Sequence, residues 1–388
     1  MSWPSIKLSE VCSILSGFAF QSGAFGEIGL PLIRIRDVVR GYTETKYHGE
    51  YEEKYIIEND DILIGMDGDF NLAKWKGGKA LLNQRVCKLI PDITKIDSDY
   101  LYYFLPKKLL AIWKATPYVT VKHLSVKQIN EILIHLPPLP VQKQIAKILE
   151  QADTLRQQCQ QMEQELNALA QSVFLDMFGD YRNQDGQTFC KLGEIADVCS
   201  GVIKGQNLAG KTTIVAPYMR VANVQDGYLD LSVIKEIEVK ISDFEKYKLK
   251  SGDVLLTEGG DFDKLGRGAV WADEIPNCIH QNHIFRVRFE QNINPKYFEF
   301  YLQSGVAREY FLRCAKKTTN LASINITQLK SLPVPIESKE KQDNFEHFIS
   351  RIDKQINITR SDLAEKNILF NAIIQKAFNG QLNIQAVA

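Results

Sequence analysis

The chain is written twice. "LSEVCSILSG" at 8–17 returns as "LGEIADVCSG" at 192–201, "NDDILIGMDGDF" at 59–70 as "SGDVLLTEGGDF" at 251–262, and "DYLYYFL" at 99–105 as "KYFEFYL" at 296–302. An internal repeat constrains the fold more than any local pattern, because each half must satisfy one plan. The offset between copies grows from 184 to 192 to 197, then settles at 200 from "LSVKQINEI" onward. Gln142 pairs with Gln342, Asp153 with Asp353 and Phe178 with Phe378. Loops absorb insertions and rigid elements do not. Each half is therefore a globular part of variable surface followed by an element of fixed length.

The spacing predicts that this fixed element is a long helix. In the first copy Val141, Ile145, Ile148, Ala152, Leu155, Cys159, Met162, Leu166, Leu169, Val173 and Met177 recur at steps of three and four, the mark of a coiled-coil seam. "LPPLP" stands before it and Gly179 after it. In the second copy Phe345, Phe348, Ile352, Thr359, Phe370, Ile373 and Ala377 hold the seam, with Gln355, Asp362 and Lys366 interrupting it and Ile356, Leu363 and Leu369 as the alternative that carries it locally. Neither helix can bury its seam alone, so the two are expected to pack on each other. The pairing set is Ile145, Ile148, Ala152, Leu155, Met162, Leu166 and Val173 against Phe345, Phe348, Ile352, Phe370 and Ile373. An antiparallel pairing would place the lobes at opposite ends, with approximate two-fold symmetry.

The lobes read as mixed α/β. "PLIRIRDV" and "APYMRVANV" alternate like strands, "DDILIG" and "GDVLLT" are short β-rich runs, and "SDYLYYFLPKKLLAIWK" has helical spacing. The fold class is thus α+β, with two pseudo-symmetric α/β lobes and two long antiparallel coiled-coil helices. The expected boundaries are 1–138 for the first lobe, 139–180 for the first helix, 181–336 for the second lobe, 337–380 for the second helix and 381–388 for a tail.

Composition narrows the function. The 388 residues carry 47 basic and 47 acidic side chains. A lone nucleic-acid binder usually shows a basic excess, so any DNA-facing surface must be local or shared with a basic partner. No apolar run approaches bilayer length, and the start "MSWPSIKLSEV" lacks a signal-peptide layout. Seven scattered cysteines with no C-x-x-C pair suit reduced thiols, so the expected location is cytoplasmic.

Several stretches imitate catalytic motifs. "GQNLAGKT" at 205–212 fits the Walker A template, but a phosphate cradle needs a helix after the loop. Pro217 follows within a few residues, the next run reads as a strand, and the first copy has no Lys-Thr there. "NPKY" at 294–297 departs from the methyltransferase tetrad at Lys296 and reads as a helix start. "CIHQNH" offers Cys278, His280 and His283, fewer ligands than a structural zinc site takes. Asp67, Asp69, Glu258 and Asp261 fit turn chemistry. No catalytic residue, metal ligand or cofactor-binding residue is expected in this chain.

What remains is recognition chemistry on loops. Arg34, Arg36, Lys74, Lys76, Asn83, Gln84 and Arg85 cluster in or beside the loops of the first lobe. Arg220, Asn223, Lys264, Arg267, Gln281, Asn282 and His283 occupy corresponding regions of the second. Arg, Asn and Gln can read guanine and adenine edges in pairs of hydrogen bonds, and Lys mainly holds phosphate. These are the candidate DNA-binding residues.

Order and duplication together resemble the specificity subunit of type I restriction–modification systems, over nearly the whole chain. "LSEVCSILSGFAF" and "LGEIADVCSG" look like the family's lobe-opening segment, "LPPLPVQKQIAKILEQAD" like the entry to its first conserved helix, and "KQDNFEHFISRIDKQI…AFNGQL" like its second. Val141 stands where members often have Glu, and "VPIESKEKQ" lacks the double proline. The resemblance implies two target recognition domains reading half-sites of double-stranded DNA, with the helices as spacer and no catalytic centre in this chain. It implies two modification subunits that carry S-adenosylmethionine, and restriction subunits that use ATP and Mg. A helix of about 38 residues is roughly 57 Å long, more than one turn of B-DNA. Four residues inserted into both helices would then widen the spacer by roughly 6 Å, about two base pairs, as methylation mapping would show. Dissimilar lobes imply an asymmetric site. The alternative is a coiled-coil adaptor whose lobes bind protein, which gel shifts with a modification partner on random duplexes would separate.

Overall fold

The computed structural model describes residues 3–117, 121–183, 186–262, 265–290, 293–317 and 322–382. The chain divides into two units, Met1–Gln161 with Arg360–Ala388, and Met162–Thr359. Each unit takes one lobe and a stretch of both long helices.

In the first unit the strands are β1 (Cys12–Ser16), β2 (Leu30–Ile33), β3 (Ile62–Gly65), β4 (Leu72–Lys74), β5 (Ala80–Leu82) and β6 (Val86–Pro91), followed by α1 (Ser98–Ala115) and the 40-residue α2 (Leu139–Phe178). An antiparallel sheet runs β1-β6-β3-β4. All four residues of β3 are buried, which is why "ILIG" is an unbroken apolar run. A second sheet contains β2 and β5 side by side in parallel, Leu32 opposite Leu81 and Ile33 opposite Leu82. Asp61 fixes the turn into β3, accepting the Glu58 N–H (2.8 Å) and the Lys88 ammonium (2.7 Å).

The second unit repeats the plan with β7 (Ala196–Ser200), β8 (Thr213–Met219), β9 (Val254–Thr257), β10 (Gly268–Val270), β11 (Ile279–His280), β12 (Ile284–Phe289) and α3 (Pro295–Leu302). Its sheet runs β7-β12-β9-β10, the same order, and β8 lies parallel to β11. Asp253 is the twin of Asp61. It accepts the Lys250 N–H (2.8 Å) and both forks of Arg288 (2.6 and 2.7 Å).

The second long helix, α4 (Lys339–Phe378), also has 40 residues. Gly179 and Gly380, both in the left-handed region, end the two helices as the sequence anticipates. Within the first unit Arg156 Nε donates to Asn367 Oδ1 (2.7 Å) and Cys159 Sγ lies 3.5 Å from Asp362. Advancing along α2 means retreating along α4, so the pairing is antiparallel. In the second unit Met162 meets Thr359 (3.6 Å) and Phe174 meets Phe345 (ring centroids 5.5 Å), again antiparallel. Phe378 packs on Tyr100 and Phe104 of α1, and Phe178 on Tyr297 of α3.

The seam itself is narrower than its spacing suggests. Ile145, Phe345 and Phe370 are buried and Ala152, Val173, Ile352 and Ile373 half-buried, but Leu155, Met162 and Phe348 are about half exposed. Ile148 and Leu166 are half-buried. A straight helix turns every 3.6 residues and drifts off a 3.5 seam. The buried line keeps Cys159 and Thr359 of the expected seam and adds Leu149, Ala170 and Phe174 on α2 and Ile349 and Ile356 on α4.

Candidate nucleic-acid interface

Parallel strands point the same way, so the loops that follow them leave one edge of the sheet. Because β2 lies parallel to β5, Arg34 and Asn83 emerge together. In the second lobe Arg220 and Gln281 emerge together after β8 and β11, and the Gln281 N–H donates to the Met219 carbonyl (3.0 Å). The segment after the first sheet strand is tied to the same edge. Phe18 N–H donates to the Leu82 carbonyl (2.9 Å) and Val202 N–H to that of His280 (2.8 Å). Both ties depend on a preceding glycine. A Cβ at Gly17 would lie 2.1 Å from the Asn83 carbonyl oxygen, and one at Gly201 2.0 Å from that of His280.

At the first edge Gln84 and Arg85 are exposed and Asn83 half-buried. Arg85 Nε lies 3.4 Å from Asp67, whose other carboxylate oxygen is 2.7 Å from His123 Nδ1. At the second edge His283 Nδ1 lies 2.6 Å from Glu258, and Asn282 sits beside it. Arg267 joins this group, since its carbonyl accepts the Thr257 N–H (3.0 Å) while its guanidinium donates to Gln225 (2.9 Å). Each lobe thus presents two carboxamides and a carboxylate-steered side chain, Arg85 in the first and His283 in the second, on one rim. Carboxamides and Arg are among the groups that read base edges.

Other candidates fall elsewhere. Asn223 is 2 % exposed, so its side chain is not offered to a ligand. Its Oδ1 accepts the Arg220 N–H (3.0 Å) and its Nδ2 donates to the carbonyls of Asp230 (2.7 Å) and Val233 (3.1 Å). Its twin is Asp37, equally buried, which accepts the Arg34 N–H (2.9 Å). Lys74 pairs with Asp99 and stands opposite Ile62, at the far end of β3 from Arg85. Lys76 follows it there, exposed. Arg36 stays exposed next to Asp37, and Arg220 lends one guanidinium nitrogen to the Val233 carbonyl (2.8 Å). Lys264 lies outside the described residues.

The imitation motifs resolve on geometry. After "GQNLAGKT" comes β8 and not a helix, and the Lys211 N–H donates to the Leu208 carbonyl (3.0 Å). That loop does not fit a nucleotide triphosphate. "NPKY" is a helix start, with Asn294 Oδ1 accepting the Lys296 N–H (2.8 Å) and Pro295 in the first turn. In "CIHQNH", burial pushes the Cys278 thiol up to about 12 and holds the His280 imidazole down at about 4, while His283 faces outward to Glu258. The three side chains do not converge.

Sequence reading passes over Phe18 and His123, and it takes Asp67 and Glu258 for turn residues where they also steer Arg85, His123 and His283. The offsets held the signal, because Phe18 and Val202 both follow the matched glycines Gly17 and Gly201.

Comparison with known proteins agrees with this duplicated architecture. The family described as the type I restriction modification DNA specificity domain matches residues 2–168 and again 184–366. The type I restriction enzyme EcoBI specificity subunit of Escherichia coli is 31 % identical over 99 % of this chain and 87 % of its own length. The EcoKI specificity subunit of Escherichia coli K12 is 24 % identical over 99 % and 90 %. Among solved structures, the type I restriction–modification S subunit of M. genitalium superposes with a TM-score of 0.58 over 97 % of this chain and 96 % of its own, at 15 % identity. With both halves matched, this chain belongs to the type I restriction–modification DNA specificity family.

Proposed function

We propose that the chain is the non-catalytic specificity subunit of a type I restriction–modification enzyme and reads a bipartite, asymmetric site on double-stranded DNA. The observation that carries this is the pair of rims: one backbone device in both lobes, presenting Asn83, Gln84 and Arg85 in one and Gln281, Asn282 and His283 in the other. Equal scaffolds with unequal reading groups suit two different half-sites. In this reading two modification subunits supply S-adenosylmethionine and the methylation of adenine, and restriction subunits supply the chemistry that needs ATP and Mg. The chain contributes placement, and it acts in the cytoplasm where those partners and DNA meet.

The test is methylation mapping with the chain assembled on its modification subunits. The expected target is two short, different half-sites separated by a gap. Asn83→Ala should loosen one half-site and Gln281→Ala the other. A perfect palindrome, or both variants loosening the same bases, would reject the assignment.

A further inference from the structure

Phe18 is an exposed aromatic at a position where the fold does not require one. Its backbone bridges Asn83, and in the second lobe Val202 makes the same bridge to Gln281. Val202 is 1 % exposed and Phe18 43 %. The bridge is common to both lobes, and the outward ring belongs to the first alone. Leaving that apolar area in water forfeits burial. The ring is nonetheless held firmly from beneath. Its centroid lies 5.2 Å from Phe20, edge to face, and 5.2 Å from Tyr55, with Lys54 Nζ 4.9 Å from the Tyr55 centroid. A side chain already fixed loses little freedom on contact.

A flat apolar face beside two carboxamides matches one kind of base pair. In the major groove adenine offers an acceptor and a donor to Asn or Gln, and its partner thymine offers a methyl group to an apolar side chain. We infer that Phe18 is a specificity-determining residue that packs on a thymine 5-methyl group in the half-site read by the first lobe, beside an adenine contacted by Asn83 or Gln84. This rests on the DNA-facing reading of the rim given above. A protein partner seated on the ring is the competing occupant.

The test uses the chain in complex with its modification subunits, bound to the duplex that this complex selects. Each thymine of the half-site loosened by Asn83→Ala is replaced in turn by uracil, which deletes only the methyl group. One such replacement is expected to weaken the wild-type complex about three- to fourfold. Phe18→Ala and Phe18→Val, the second carrying the residue that the other lobe uses, should bind thymine and uracil duplexes equally and assemble with the modification subunits as before. No uracil effect in the wild type, an undiminished effect in both variants, or a loss of assembly in place of the methyl preference overturns the inference alone. A wild-type complex that selects no duplex overturns the DNA-reading assignment, and the inference with it.

Discussion

The side-chain carbonyl of Gln142 accepts a 2.9 Å hydrogen bond from the backbone N–H of Asp97, the residue that caps α1. Its amide nitrogen donates to the carbonyls of Lys95 (3.0 Å) and Pro137 (2.8 Å). Gln142 is fully buried in the first turn of α2, so this one side chain locks the long helix to its lobe. Gln342 repeats the clamp, accepting from the N–H of Asn294, the cap of α3 (2.7 Å), and donating to the Glu337 carbonyl (2.9 Å). Gln142→Leu keeps the bulk and strands buried backbone groups. We expect a loss of about 2–4 kcal/mol, read from the urea midpoint, with Gln342→Leu behaving alike. The exposed Gln158→Ala should leave the midpoint in place.

The twin turns before the central strands should respond unequally. Asp253 has 1 % of its side chain exposed and is held by both forks of Arg288. Arg288→Met would leave a buried carboxylate without its cation, a loss of about 3–5 kcal/mol. Asp61 and Lys88 are about one-fifth exposed, so water can take the place of the missing ammonium. Lys88→Met should cost only about 1 kcal/mol. Amide exchange protection across β9 and across β3 reads the two effects separately.

These clamps were legible as sequence because a buried polar residue recurs at one offset wherever its partners recur. Gln142 and Gln342 stand 200 residues apart, as the rigid helices do. Pro217 likewise announced a strand where a nucleotide site needs a helix. The reading rim was legible only in part. Asn serves both as base reader and as turn cap, and Asn223 proved to be the cap; its twin Asp37, whose carboxylate suits a turn and not a phosphate-rich groove, carried the hint. Lys74 looked available because its partner Asp99 lies 25 residues on, across a sheet-to-helix contact that spacing does not display. The helix seam was legible at its two ends and less so in the middle of the pair, where Leu155 and Met162 are about half exposed and polar contacts such as Arg156 to Asn367 stand beside them.

His280 should make the second lobe sensitive to acid. Burial foremost, with the positive charges of Arg286 and Arg288 adding to it, lowers its pKa from the usual value to about 4. Its Nδ1 lies 3.0 Å from the Ile284 carbonyl, and the ring is fully buried. The unfolded chain takes up a proton below about pH 6.5 and the folded chain does not. The stabilising contribution is therefore complete above that pH and is lost as pH falls toward 4, by about 2 kcal/mol at pH 5. Leu82 fills the matching position in the first lobe. His280→Leu should flatten this part of the pH dependence of unfolding, measured between pH 5 and 7.5, and a slope that survives the substitution would place its origin elsewhere.

Gly17 and Gly201 allow a lobe-by-lobe test of recognition that leaves every reading side chain in place. A methyl group at Gly17 would sit 2.1 Å from the Asn83 carbonyl oxygen, and one at Gly201 2.0 Å from that of His280. Neither obstacle is a side-chain tip that can swing aside. The backbone carrying Asn83, or that carrying Gln281, has to move instead. Gly17→Ala should cost about 1–3 kcal/mol in overpacking and displace only the first rim. Gly201→Ala should do the same to the second. Selection of random duplexes by the complex with modification subunits should then return one degenerate half-site and one intact half-site for each variant, with the roles reversed between them. If both variants kept both half-sites sharp, the rims would not be the surfaces that read DNA. If either blurred both at once, the two lobes would not read independently.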